Sequence, residues 1–425
     1  MHALVRRALC ALALIATSLP LALPARGEEP PLTADGSAAL DRAALIRAVL
    51  ARNPSAAAAQ AAVRAGDARA QTAGSFADPS LSYQVAPQSL WDGPRSGHRV
   101  ELAQPIAAWG KRGLARSAAR GDADAARFEL GAVRLDLALA ASLLYDDYYL
   151  AARSLAVNAA HRALLEELRA AALARYEAGE APKQAPLAAE LEAARLEHRE
   201  IELQTAQRVT AAQLNALLHR APGAALPPPP ETLATPLASA LLAEDAAERP
   251  ELQAAAARAE ARSAAAELAH RERIPDLKLM AGYDGMWDAP EMRPMLGVEV
   301  ELPLQRGRRR AAIAEADALR EQAAAEREGA QSEAALTVAI ARERFAEAQH
   351  GLVVVREQML PAARDRAEAA NAALAASRAD FGDAIEAERS WYEAELGAEE
   401  ALVATSRRAA ELMRALGKSG VEETR

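Results

Sequence analysis

Cysteine is almost absent from this 425-residue chain, and the one that is present, Cys10, lies in the first segment. Residues 1–27 carry Arg6 and Arg7 followed by an apolar run and small residues, which are the features of a secretory signal peptide. Removal of that peptide leaves a mature chain without cysteine. This excludes disulfides, zinc thiolates and a cysteine nucleophile.

Aromatic residues and long apolar runs are also scarce. Aromatics make up 4% of the chain, whereas 51% is hydrophobic and 26% is charged, a profile typical of long packed helices. After the signal peptide, no run approaches the roughly 20 apolar residues of a membrane-spanning helix, so a membrane could be crossed only by strands. A net charge of −9 with interspersed acids and bases argues against a nucleic-acid partner.

Motifs for catalysis are missing as well. The seven histidines are scattered without HExxH or a metal-binding spacing, and no GxSxG occurs, so we expect no enzyme, no metal site and no cofactor. We predict solvated helix surfaces for His161, His198 and His350. Four methionines lie between Met280 and Met295; ordinary packing is favoured over a Cu(I) or Ag(I) site.

The chain contains an internal duplication. Two proline pairs, Pro54 with Pro250 and Pro79 with Pro275, are each 196 residues apart, and Pro105 and Pro303 are 198 apart. This predicts a first repeat over 28–220, a proline-rich linker over 221–237, a second repeat over 238–417 and a polar tail over 418–425.

Each repeat combines alternating runs with very long helical patterns. Period-two alternation predicts strands at about 79–87, 98–106, 277–284 and 295–303, each near the length that crosses a bilayer. Helices then run from about Lys111 to Ala178 and from Arg308 to Ala376, on the order of 100 Å each. Small soluble hairpins are the alternative for the strands. Three of the four tryptophans, Trp91, Trp109 and Trp287, lie in or beside them, as in interfacial aromatic belts.

Four strands cannot close a membrane barrel alone, because the smallest such barrels have about eight. Open sheet edges are not tolerated in lipid. Either the strands lie outside a membrane or several chains complete one barrel, and three copies would supply twelve strands.

The motifs of the chain and their order along it resemble those of the TolC family of trimeric outer-membrane channels. The resemblance rests on "NPSAAAAQAAVRAG", "DPSLSYQV", "QPIAAWGKRG", "ELPLQRGRRR", "YEAG" and "DAIEAERS" in this order. It implies a mainly α fold with a small β part: long α-helical hairpins forming a trimeric periplasmic tunnel, and four membrane strands per protomer in a shared twelve-stranded barrel embedded in outer-membrane lipid.

The resemblance also implies site residues. The turns near 179 and 380 would form the tip that meets an adaptor, with Tyr176, Gly179, Ser377 and Arg378, and the acids Asp383 and Glu386 would form a pore gate. The junction between barrel and helices would comprise Pro105, Lys111, Arg112 and Pro303, with the prolines ending the strands. Leu374, Ser377 and Ala379 depart from the family pattern, which predicts a different closing network.

The function implied is a passive exit channel of a tripartite efflux system, working as a homotrimer with a periplasmic adaptor and an inner-membrane RND-type pump. The motifs are most similar to the heavy-metal branch, the relatives of CzcC and CusC, so heavy-metal cations are the expected substrate. A drug-efflux or type I secretion channel is the alternative. A periplasmic coiled-coil adaptor or scaffold is a third hypothesis, and a secreted hydrolase has no motif to support it.

Overall fold

The computed structural model describes residues 32–33, 38–86, 97–234, 249–285, 287, 289–376 and 378–419. The predicted signal peptide, Trp91, Met286, Ser377 and the end of the polar tail therefore lie outside the described residues. The described chain is mainly helical, with one small sheet.

From Pro54 in the first repeat and from Pro250 in the second, the helices and strands of the described chain occur in the same order. The first repeat contains α1 (Arg42–Arg52), α2 (Pro54–Ala73), β1 (Ser80–Val85), β2 (His98–Ile106), α3 (Lys111–Glu177) and α4 (Gln184–Leu217). The second contains α5 (Pro250–Arg271), β3 (Asp276–Asp284), a 3₁₀ turn (Pro290–Met292), β4 (Pro294–Glu301), α6 (Arg306–Val354), a π-helical turn (Val355–Met359), α7 (Leu360–Ala375) and α8 (Phe381–Ala415).

The duplicated prolines have a local structural role. Pro54 and Pro250 occupy the first turn of α2 and α5, where a proline costs no intrahelical hydrogen bond. Asn53 caps α2 by accepting a hydrogen bond from the Ser55 amide at 2.9 Å. The proline in the first turn is therefore common to both repeats, whereas Arg249 before α5 makes no side-chain capping hydrogen bond.

The second long helix is interrupted where the first is not. α3 runs unbroken for 67 residues, about 100 Å. Its counterpart changes from α6 to the π-helical turn immediately before Pro361, which lies in the first turn of α7. Proline lacks the amide hydrogen needed by the preceding turn, which accounts for the irregularity at this point.

The sheet joins the two repeats. Its order is β1-β2-β3-β4, and all three pairings are antiparallel. β2 from the first repeat pairs with β3 from the second, from Arg99 opposite Asp284 to Ile106 opposite Leu277. In the described chain, β1 and β4 each pair on one side only, so the sheet has two open edges.

The main core lies where α1, α3, α4 and α8 pack together. It contains Leu45, Ile46, Val49, Tyr145, Tyr149, Leu214, Leu402 and Val403. Asp146 is fully buried there and accepts hydrogen bonds from Arg42 and from the Ser406 hydroxyl. Burial raises the pKa of Asp146, and the Arg42 guanidinium opposes that shift. This network ties α1 to both repeats.

No helix in the described residues combines the length and the apolar character that spanning a membrane requires.

Candidate functional site

One face of the sheet is mostly apolar and exposed. Leu81, Leu102, Ala281 and Leu296 form one rung across all four strands. The large exposed side chains of this face are 39% to 91% exposed: Leu81, Tyr83, Val100, Leu102, Leu277, Leu279, Tyr283, Leu296, Val298 and Val300. An apolar patch of this extent on a soluble monomer would be unusual, which indicates a lipid or protein contact.

The opposite face is polar. Arg99 forms an ion pair with Asp284, with Nη2 2.5 Å from Oδ2, and Lys278 lies 3.2 Å from Glu299. Ser82, Glu101, Gly282 and Met295 form a rung on this side. The alternation expected for a wall between apolar and aqueous surroundings is therefore present in all four strands.

The junction between β2 and α3 is held against the second repeat by hydrogen bonds. Lys111 is buried, and its Nζ donates to the Ile274 carbonyl at 2.7 Å and to Asp276 Oδ1 at 2.9 Å. The same Asp276 oxygen accepts the Ala108 amide at 2.7 Å. Arg112 lies over the ring of Phe76, with 3.6 Å from its guanidinium carbon to the ring centroid. Both residues thus stabilise the junction through contacts within the chain.

The prediction that Pro105 ends the strand pairing is wrong for one neighbour. β1 pairs with β2 no further than Ala103, but β3 continues past Pro105 to Ile106. The turn that follows is set by Gly110, whose φ of +87° is disfavoured for residues with a Cβ. Pro303 lies between the end of β4 and the start of α6.

The two helical hairpin turns contact each other. Ala172 and Ala185 of the first hairpin pack with Leu374, Phe381 and Ala384 of the second. Arg175 Nη1 donates to the Leu374 carbonyl at 3.1 Å, and its guanidinium lies 5.7 Å from the Phe381 ring centroid. This contact caps the C-terminal end of α7, where helix carbonyls lack intrahelical partners.

The predicted tip residues surround this contact. Tyr176 is 40% exposed, and its carbonyl accepts the amide of Gly179, whose φ is +77°. Arg378 is exposed, and its amide donates to the Ala373 carbonyl at 2.8 Å. Sequence reasoning missed Arg175, which makes a direct hydrogen bond between the two turns.

The predicted gate acids lie in the first turns of α8. Asp383 and Glu386 are both exposed and three residues apart, so they share one face of the helix. Glu386 lies 3.7 Å from Arg366 of α7, within the same hairpin. Their side chains are therefore accessible from solution next to the turn.

His161 is buried, so the prediction of a solvated surface position is wrong for this residue. It is 2% exposed; its Nδ1 lies 2.9 Å from Glu388 and its Nε2 2.9 Å from Glu395. Trp391 and Tyr392 contact the ring edge-to-face. Burial alone would lower the pKa of His161, but its hydrogen bonds to the two glutamates raise that pKa to about 9.

The four-residue spacing of His161 from its apolar neighbours would have predicted that this side chain is buried. Val157, His161 and Leu165 follow one another at four-residue intervals on α3, and all three are buried. His198 is exposed, with a side chain 76% accessible, and His350 is exposed as well. Across the part of the chain that the structure describes, no group of three or more histidines and carboxylates has a geometry that could hold a metal ion.

Comparison with known proteins supports an outer-membrane fold. Residues 241–418 match the family model described as outer membrane efflux protein. No curated protein matches the chain in sequence.

Several solved structures share the fold over most of both chains. The outer membrane protein VceC of Vibrio cholerae has a TM-score of 0.75 at 22% identity, covering 88% of this chain and 95% of VceC. The open MtrE outer membrane channel of Neisseria gonorrhoeae has a TM-score of 0.72 at 18% identity, covering 90% of each chain. CusC, whose structures concern transmembrane channel formation, has a TM-score of 0.72 at 17% identity, covering 89% of this chain and 92% of CusC.

The expected fold class, mainly α with a small β part and long helical hairpins, is confirmed. The family match covers the second repeat, and the first repeat has the same order of elements. The second repeat is therefore similar to the outer membrane efflux protein family, and the chain shares its fold with the outer-membrane proteins above.

Proposed function

We propose that three copies of this chain form a passive exit duct through the outer membrane. The observation that carries the proposal is the four-stranded sheet, which has two open edges in the described chain and one exposed apolar face. Edge-to-edge pairing of three sheets gives a closed twelve-stranded wall, which satisfies the unpaired backbone groups and turns the apolar face to lipid.

The oligomeric mass tests this assembly. We expect the purified mature chain to run in mild detergent with a protein mass of three chains, measured by light scattering with correction for bound detergent. A stable monomer in several detergents would argue against a shared barrel.

The helical hairpins suit a duct that receives substrate from partners. A periplasmic adaptor would contact the tip formed by Tyr176, Gly179, Ser377 and Arg378, and an inner-membrane pump of the RND type would supply the energy. In this proposal the chain itself is a passive channel and carries out no catalytic step.

We propose heavy-metal cations as the exported substrate. Asp383 and Glu386 would place carboxylates near the axis at the tip, and Met280 and Met295 lie on the polar face of neighbouring strands. Deletion of the gene is expected to sensitise cells to Cu, Ag, Zn or Co. Sensitivity to drugs alone would favour a drug-efflux channel instead.

The acids at the tip give a prediction about conduction. We expect Asp383→Ala combined with Glu386→Ala to raise single-channel conductance and to weaken block by multivalent cations. A ring of carboxylates in a narrow opening attracts and retains such cations, and the double substitution removes that ring.

Glu393→Ala combined with Glu400→Ala is the matched control, because both acids are exposed on the same helix further from the turn. It is expected to leave conductance and block unchanged. If the tip variant behaves like this control, Asp383 and Glu386 do not form the gate.

A further inference from the structure

Exposed apolar side chains continue past the ends of the strands. Leu302 and Leu304, between β4 and α6, are 64% and 79% exposed. Trp109, between β2 and α3, is 94% exposed, and Ile274, just before β3, is 49% exposed. Because β2 and β4 end where β3 begins, these four side chains lie at the same end of the sheet.

A group of exposed arginines follows directly. Arg306, Arg308 and Arg310 open α6, and all three are exposed. Arg309, between them, donates to the Glu272 carbonyl at 3.0 Å. In the part of the chain described by the structure, no carboxylate forms an ion pair with Arg306, Arg308 or Arg310, although arginine–carboxylate pairs are frequent elsewhere on the helices.

We propose that Arg306, Arg308 and Arg310, here called the basic collar, bind the phosphate groups of anionic phospholipids in the membrane leaflet that faces the helices, next to Trp109. The inference rests on the proposed function, because that function places the sheet in a membrane. It adds an anionic lipid as a partner and specifies the position along the molecule at which the chain leaves the bilayer.

The order of side chains along the molecule favours lipid as the occupant. An apolar band is followed by exposed tryptophan and leucine and then by unpaired arginines, as the surroundings change from hydrocarbon through the interface to the headgroups. Basic residues just beyond a membrane segment attract anionic lipid surfaces. A soluble polyanion would match the charges but would leave the adjoining apolar side chains without a partner.

Tryptophan quenching by brominated lipids tests the proposal. The full chain is reconstituted into phosphatidylcholine vesicles that contain either brominated phosphatidylglycerol or brominated phosphatidylcholine. The difference between the protein and its Trp109→Phe variant isolates the signal of Trp109 among the four tryptophans. We expect the phosphatidylglycerol to reach half-maximal quenching at an about fivefold lower mole fraction, the factor for one basic residue near the surface.

Two triple variants distinguish an effect of the basic collar from a general effect of positive charge on the protein. Arg306→Gln with Arg308→Gln and Arg310→Gln is expected to abolish the preference. The control, Arg327→Gln with Arg344→Gln and Arg356→Gln, removes the same charge from exposed positions about 25 Å or more further along the chain, and is expected to keep the preference.

The results of the quenching experiment distinguish failure of the lipid-binding proposal from failure of the proposed channel function. Equal quenching by the two lipids in the unaltered protein overturns the proposal, whatever else the collar binds. If the collar variant does not fold, 1 M salt replaces it: a preference that persists unchanged in high salt also overturns the proposal. Failure of the protein to insert into either vesicle overturns the membrane duct itself.

Discussion

Replacing Arg175 with methionine is expected to raise the fraction of time the channel is open in a planar lipid bilayer by about tenfold or more. Arg175 donates across the two hairpins to the Leu374 carbonyl at 3.1 Å and lies near the Phe381 ring. A hydrogen bond from a charged group contributes about 1.5–3 kcal/mol, and about 1.4 kcal/mol corresponds to a tenfold change in an equilibrium. Methionine keeps the apolar stem and removes the charge.

Arg169→Met is the matched control for this experiment. Arg169 lies on the same helix, is exposed, and pairs only with Glu166 of its own helix at 3.3 Å. Its replacement is expected to leave the open fraction unchanged. An Arg175 variant with the same open fraction as this control would show that the contact does not hold the two hairpins together.

The free energy of unfolding of the helical region is expected to fall by about 3 kcal/mol between pH 6.5 and 9, because His161 loses its proton over this range. A tenfold change in proton affinity corresponds to about 1.4 kcal/mol. The folded-state pKa of this histidine, about 9, lies above its ordinary value of 6.5. The stabilisation by Glu388 and Glu395 is therefore complete below pH 6.5 and is lost as pH rises through 9. The measurement is thermal unfolding followed by circular dichroism across this range.

At low pH, Glu395 of the same cluster gives a pH dependence of stability with the opposite sign. A hydrogen bond from His161 lowers the pKa of Glu395 below its ordinary value of 4.5 against the effect of burial. Its contribution is present above that value and is lost as pH falls below it, so stability from this cluster is greatest between about pH 4.5 and 6.5.

His161→Gln removes the titrating group and is expected to flatten the dependence between pH 6.5 and 9. His198→Gln is the control, because that side chain is 76% exposed and lies 3.7 Å from Glu202 of its own helix. It is expected to keep the slope of the unaltered protein. A slope that survives in the His161 variant would assign the pH dependence to other groups.

The repeat architecture could be read from the sequence because its signals are local and occur twice. Pro54 and Pro250 mark equivalent helix starts, and period-two alternation marks strands whose two faces differ in polarity. The length of α3 follows from the absence of proline between Lys111 and Glu177. These features depend only on neighbours in the sequence.

The contacts between distant segments were the part that the sequence did not reveal. His161 is buried because α8 brings Glu388 and Glu395 to it from more than 220 residues away. The sequence places Lys111 at the start of a helix after β2, but its burial against Asp276 depends on how β2 pairs with β3. Arg175 likewise acquires its role only when the two turns meet.

The most direct test of the proposed function is the conductance of the purified mature protein in planar lipid bilayers. We expect discrete single-channel steps from a species with the mass of three chains. Their conductance should rise on combined substitution of Asp383 and Glu386 by alanine. Bilayers that stay silent at every protein concentration, with a protein that remains monomeric in detergent, would contradict the exit-duct function.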